Sequence, residues 1–181
     1  MATTTTAHLT ADDLAALPDD GWRYDLVRGD LVRMPPHNFD HGQFDDNIRF
    51  PLSRFVRERN LGRVMGNVGF TLEIAPDTVL GPDVNFVRAE RLPGRGGQAF
   101  PTLAPDLAVE VLSPSNTASE IARTLAIYLA AGVGLVWVID PASRSVAVYT
   151  PTGAAVLGEG DVLDGGDVLP GFAIPVADLF A

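Results

Sequence analysis

Leu107-Ala108-Val109-Glu110-Val111-Leu112 is an apolar run with a single acid inside it, and it reads as a buried strand. Thr117-Ala118-Ser119-Glu120 has the form of a capping box, opening a helix from about residue 118 to 131. The apolar face of that helix is Ile121, Leu125, Tyr128 and Leu129, and Gly132 ends it. Leu135 to Ile139 and Ser145 to Tyr149 follow as two strands separated by an Asp140-Pro141 turn. Upstream, Pro82 to Val87 forms another short strand with Asp83 near its start. This pattern predicts an α+β fold, a mixed β-sheet flanked by few helices.

Outward from this centre, Thr10 to Leu17 reads as a short helix with Thr10 as its N-cap and acids in its first turn. Trp22 to Val27 and Leu31 to Met34 form an N-terminal hairpin across Arg28-Gly29-Asp30. Phe44, Ile48, Leu52, Phe55 and Val56 recur at helical spacing between His41 and Asn60, and Pro51 predicts a kink or a displaced start. Val64, Val68, Phe70, Leu72 and Ile74 nearly alternate, which predicts strand with a bend at Gly66-Asn67. The segment from Val156 to Ala181 is turn-rich, with strand-like pieces at Val156-Leu157, 161–163 and 172–174. The expected organisation is a tail and short helix over 1–21, then a single domain over 22–181.

The chain has 181 residues, 46% of them hydrophobic, a length suited to one core. It contains no Cys, which excludes a disulfide scaffold, a thiolate zinc site and a cysteine nucleophile. No apolar run approaches the roughly 20 residues of a membrane helix, and Met1 to Thr10 has neither part of a signal peptide. A soluble, cytoplasmic protein without membrane partners is the expectation. The formal charge is −10, and all 13 basic residues are arginines. Residues 1–20 and 151–181 carry four and five acids with no arginine, so the middle of the chain is close to neutral. Such acidity argues against tight non-specific binding of nucleic acid but leaves room for a local basic groove. Arg49, Arg54, Arg57, Arg59 and Arg63 set against Glu58 form the most basic stretch, and Arg88, Arg91 and Arg95 lead into a glycine-rich loop. Both stretches are candidates for phosphate contacts, although arginines on a helix's outer face are more often simply solvated.

Asp83 and Glu110 occupy unusual positions, since an ionised carboxylate in a buried strand needs a hydrogen bond, a counter-charge or a bound cation. Brought together from neighbouring strands they would form an oxygen cluster suited to Mg²⁺ or Mn²⁺. The alternative is a solvent-facing Glu110 on an edge strand, paired with an arginine. His37 and His41 have the spacing of a zinc pair, but the Pro35-Pro36 break just before them means they need not share a helix, and no third ligand follows at a familiar spacing. Gly94 to Gly97 lacks the GK[ST] of a phosphate loop, and Ser113-Pro114-Ser115 lacks the G-x-S-x-G elbow of a nucleophile.

An ordered set of segments makes the chain similar to a known family. Tyr24-Asp25-Leu26-Val27-Arg28-Gly29-Asp30-Leu31, His41-Gly42, Pro82-Asp83-Val84 and Val109-Glu110-Val111-Leu112-Ser113-Pro114-Ser115 come first. Leu125 to Tyr128, Ala131-Gly132-Val133, Trp137 to Asp140 and Leu169-Pro170-Gly171-Phe172 follow. The set resembles the putative restriction endonuclease family of small bacterial proteins, with the PD-(D/E)XK nuclease fold. The resemblance implies a metal-dependent endonuclease acting on DNA, with Asp83 and Glu110 as the motif acids. It also implies a divalent metal, Mg²⁺ or Mn²⁺, held by Asp83, Glu110 and the carbonyl of Val111, with Asp25 and His41 completing the site; on that reading Arg54, Arg57, Arg88 and Arg91 of the basic stretches are the candidates for touching the nucleic acid. Association as a homodimer is a further implication. The motif departs in one place: Leu112 stands where its lysine belongs, and Thr124 where the family commonly relocates it. Since the chain has no lysine, a non-catalytic nuclease-fold homodimer that binds nucleic acid or a protein partner is the alternative.

Overall fold

The computed structural model describes residues 8–36, 38–94 and 96–181, so the expectations resting on His37 and Arg95 lie outside the described residues. Thr10 caps helix α1 (Ala11–Ala15), closed reciprocally by the Asp13 carboxylate, and Leu14 packs onto Leu26 and Val79. Strands β1 (Arg23–Val27) and β2 (Asp30–Met34) form the predicted hairpin. Its turn is shorter than expected. Val27 pairs with Asp30, which leaves Arg28 and Gly29 to turn the chain with φ of 51° and 82°. That is the two-residue geometry matched to strand twist. Gly29 also has no room for a side chain, because a Cβ there would lie 2.2 Å from His8.

Helix α2 (Phe39–Glu58) begins at the Asn38 cap, whose side chain accepts from the His41 N–H. It runs through Pro51 as one element, so the proline does not displace its start. Ile48, Leu52 and Val56 enter the core from one face. Then come β3 (Gly62–Gly66), β4 (Phe70–Glu73), β5 (Thr78–Leu80) and β6 (Val84–Arg88). The near-alternating run from Val64 to Ile74 therefore splits between two sheets: β4 pairs with β5 in the order β2-β1-β5-β4, whereas β3 pairs with β6. Strand β5 carries Thr78 among its buried residues, and its short length gives little alternation to read.

Strand β7 (Leu107–Val111), helix α3 (Ala118–Ala130) and strand β8 (Leu135–Asp140) form a crossover unit, with β7 and β8 parallel. Antiparallel β9 (Ser145–Thr150) and β10 (Gly153–Gly158) complete a mixed six-stranded sheet in the order β10-β9-β8-β7-β6-β3. One face packs on α2 through Val84, Phe86, Leu107, Val109, Val111 and Trp137; the other packs on α3 through Ala108, Val136 and Val138. Strands β11 (Val162–Asp164) and β12 (Ala173–Pro175) pair with each other. Their segment belongs to the core: Leu163, Leu169, Phe172 and Leu179 are buried, and Phe172 stacks on Trp137 at 5.8 Å. Among the described residues no helix is long and apolar enough to cross a membrane.

Candidate active site

The register of β6 and β7 places the two expected acids across from each other. Val84 pairs with Val109 in an antiparallel ladder, so Asp83 and Glu110 stand one step beyond the last pair. The step is closed by a side chain: Asp83 Oδ2 accepts the Val111 N–H at 2.8 Å. Glu110 lies on a strand flanked by β6 and β8, so it is not an edge residue. Its partner is Tyr128 of α3, whose hydroxyl donates to Glu110 Oε1 at 2.5 Å. The arginine-paired edge acid of the alternative reading is therefore absent here.

Strand β1 supplies the next layer. Arg23 and Asp25 are two residues apart and so share one face of the strand. Between them they grip the Gly81 peptide: its N–H donates to Asp25 Oδ1 at 3.1 Å, and its carbonyl accepts from Arg23 NH2 at 3.2 Å. Arg23 NH1 also lies 3.3 Å from Asp83 Oδ1. Helix α2 delivers His41 from the opposite side. Its Nε2 is 3.1 Å from the Val111 carbonyl oxygen and 3.4 Å from Asp83 Oδ2, while Nδ1 is 3.5 Å from Asp45 Oδ2 one helical turn on.

These contacts leave the cluster rich in negative charge. Burial pushes the Glu110 carboxyl well above the usual carboxylate range, reinforced by the charge of Asp83 and opposed by the Tyr128 hydrogen bond. Burial likewise raises Asp25 to about 6, against the Gly81 hydrogen bond and the charge of Arg23. Burial alone would lower His41, but hydrogen bonds to Asp45 and Asp83, with the charges of both, carry it up to about 10. Buried carboxylates that resist ionisation for want of positive charge are the condition that a bound cation relieves. The donor chemistry fits a divalent ion in two overlapping ways. Asp83 with Glu110 is an oxygen set suited to Mg²⁺ or Mn²⁺, and His41, Asp45 and Asp83 each offer a ligand atom within 4.8 Å of the others.

Of the residues singled out from sequence, Asp25, His41, Asp83, Glu110 and Val111 meet at this one end of the sheet. The Val111 carbonyl there faces the His41 ring. The arginines stand elsewhere. Arg88 ends β6 on the side opposite Asp83 and, with Arg91, pairs with Asp106 at 3.5 and 2.7 Å. Arg91 also donates to the Ala104 carbonyl at 2.8 Å, so both guanidinia tie the chain between β6 and β7 together. Arg54 and Arg57 line an open groove of about 940 Å³ along the outer side of α2, together with Arg49 and Phe50. They lie roughly 20 and 24 Å along the helix from His41. Arg54 is paired with Glu58 at 2.8 Å.

Three contributors escaped the sequence reading. Arg23 was one basic residue among many, and Tyr128 was assigned to the apolar face of its helix. Asp45 did carry a signal, the i, i+4 spacing from His41 that places both on one helix face.

Comparison with known proteins agrees with this architecture. A family model described as "Uma2: Putative restriction endonuclease" matches residues 11–177, a span that takes in α1 as well as the motif-bearing segments. The crystal structure of a putative nuclease belonging to DUF820 from Anabaena variabilis superposes with a TM-score of 0.83 at 21% identity, over 95% of this chain and 97% of that one. The search of curated proteins returns no match.

Proposed function

We propose, from the premise that this chain belongs to the putative restriction endonuclease family Uma2, that it is a divalent-metal-dependent phosphodiesterase acting on DNA. The observation that carries this reading is the meeting of Asp83 and Glu110 across β6 and β7, with Asp25 beside them and burial raising both Glu110 and Asp25. Asp83 and Glu110 are the residues that would hold Mg²⁺ or Mn²⁺, and such an ion supplies Lewis acidity for phosphodiester hydrolysis.

The chain's own groups set the stage for that chemistry. The Val111 N–H and His41 fix Asp83 through Oδ2, and Asp45 fixes His41 from behind. The Tyr128 hydroxyl holds Glu110 from α3. Asp25 and Arg23 hold the Gly81 peptide that leads into Asp83. Each functional carboxylate is thus oriented by a group on a different element, which is the preorganisation a metal site requires.

The second reading, a nuclease-fold homodimer that binds nucleic acid or a protein without cutting, is favoured by one specific feature. Leu112 and Thr124 occupy the two places where the motif lysine belongs. Thr124 lies one turn before Tyr128 on α3 and so shares the helix face that reaches Glu110. Supercoiled plasmid incubated with Mg²⁺ or Mn²⁺ separates the two. Nicking that Asp83→Ala abolishes supports the phosphodiesterase. Its persistent absence, with nicking gained in Thr124→Lys, supports the binding protein with an otherwise competent frame.

A further inference from the structure

We propose that Arg23 is the group of this site that holds a phosphate oxygen of the substrate, a role that rests on the phosphodiesterase reading above. A nucleic-acid strand would bring anionic oxygens toward the carboxylates of Asp25, Asp83 and Glu110, so a basic group of the chain has to meet them. Two basic side chains contact the cluster among the described residues. His41 is enclosed: its side chain is 10% exposed, and its ring nitrogens lie 3.5 Å from Asp45 and 3.4 Å from Asp83. Arg23 is open to the outside, its side chain 26% exposed.

The contacts of Arg23 suit it to change partners. Its NH1 is 3.3 Å from Asp83 Oδ1 and its NH2 3.2 Å from the Gly81 carbonyl. Both are longer than the 2.7–2.9 Å typical of a tight charge-assisted bond. They use two of five N–H donors, so the bond to Gly81 can persist while others reach a phosphate. The anchoring strand is fixed by Asp25, which accepts from the same Gly81 peptide. A guanidinium keeps its charge at every accessible pH and presents a planar fork to two phosphate oxygens at once. In the absence of metal, Arg23 is a counter-charge to Asp83. A divalent ion held by Asp83 would take over that role, leaving the partly exposed Arg23 fork available to an anionic oxygen.

Competition for Asp83 makes the role testable without turnover. Wild type, Arg23→Gln and Arg23→Lys are compared for Mn²⁺ affinity by calorimetry and for binding of a fluorescein-labelled DNA duplex by anisotropy in Ca²⁺. Thermal unfolding of each reports on the fold. Arg23→Gln is expected to weaken duplex binding at least tenfold while Mn²⁺ binding is undiminished or tightened, and Arg23→Lys to recover part of the duplex affinity. Equal duplex binding by wild type and Arg23→Gln overturns this proposal alone. Parallel loss of Mn²⁺ and duplex binding in both variants also overturns it, since Arg23 then serves only to hold Asp83. Wild type that binds Mn²⁺ but no duplex removes the phosphodiesterase reading and this proposal together.

Discussion

Raising the pH of the metal-free protein is expected to unload the His41 contacts in a measurable way. His41 is carried from 6.5 to about 10 by Asp45 and Asp83, in spite of a burial that acts the other way. At about 1.4 kcal/mol for each tenfold change in proton affinity, the imidazolium contributes at most about 5 kcal/mol. The sign follows from where the proton resides. The folded protein holds it up to about pH 10 and the unfolded chain releases it near 6.5, so this contribution is complete below 6.5 and disappears as pH rises through 10. Urea unfolding in EDTA at pH 6, 8 and 10 should therefore show wild type losing several kcal/mol more than His41→Gln over that interval. A domain of ordinary stability has about 5–15 kcal/mol in all, so the difference is large on that scale. The chain has three histidines, so nitrogen-edited NMR can follow the His41 ring directly. Parallel stability curves for the two proteins, or a ring that titrates near 6.5, would refute the Asp45–His41–Asp83 arrangement as the source of the effect.

Glu110→Gln substitutes a neutral group for a carboxyl whose ionisation burial and Asp83 disfavour, so at pH 8 the metal-free variant should be more stable than wild type in urea while Mn²⁺ affinity by calorimetry falls at least tenfold. Tyr128→Phe removes the hydroxyl that donates to Glu110; a loss of about 1–3 kcal/mol on chemical unfolding is expected, with weakened Mn²⁺ binding. Asp106→Ala leaves Arg88 and Arg91 without their shared carboxylate and should cost about 1–3 kcal/mol while Mn²⁺ binding stays at the wild-type level, because Asp106 belongs to the far end of β6. Phe172→Ala empties a buried place against Trp137 and Phe55, for an expected cost of about 3–5 kcal/mol by urea titration.

Elements dominated by local chemistry were legible from sequence, and the site was legible as far as strand positions go. The caps at Thr10 and Thr117, the hairpin strands and the apolar β7 and β8 each carry their signal within a few residues. Assignment of strands to sheets was not local. β3 and β4 read as one bent strand because partner choice depends on β6 and β5, which lie later in the chain. The turn-rich segment carries little periodicity because its apolar residues are scattered singly, yet Leu163, Leu169 and Phe172 converge on the α2 face of the sheet. In the site, Asp83 and Glu110 stood out as acids in apolar strands. Arg23 and Tyr128 did not, since an arginine at a strand start and a tyrosine on an apolar helix face are ordinary until the fold turns them toward a carboxylate.

The division of labour between the two facing acids follows from what touches each. Among the described residues, Asp83 is held by a backbone N–H and by two basic groups delivered from separate elements, β1 and α2. Glu110 is held by one neutral hydroxyl from a third element, and both neighbouring carboxylates oppose its ionisation. On the phosphodiesterase reading, an added cation would gain most at Glu110, whose carboxylate takes no hydrogen bond from a basic side chain among the described residues, and would meet competition at Asp83, where Arg23 and His41 already stand. Metal binding here would then be an exchange, in which a divalent ion takes over the counter-charge that Arg23 and His41 otherwise give Asp83 and offsets the burial that disfavours an ionised Glu110. Such a site costs the metal-free fold less than three unpaired buried carboxylates would. It would also tie metal affinity to pH, because burial raises Glu110 and Asp25 and a carboxyl must be ionised to serve as a ligand.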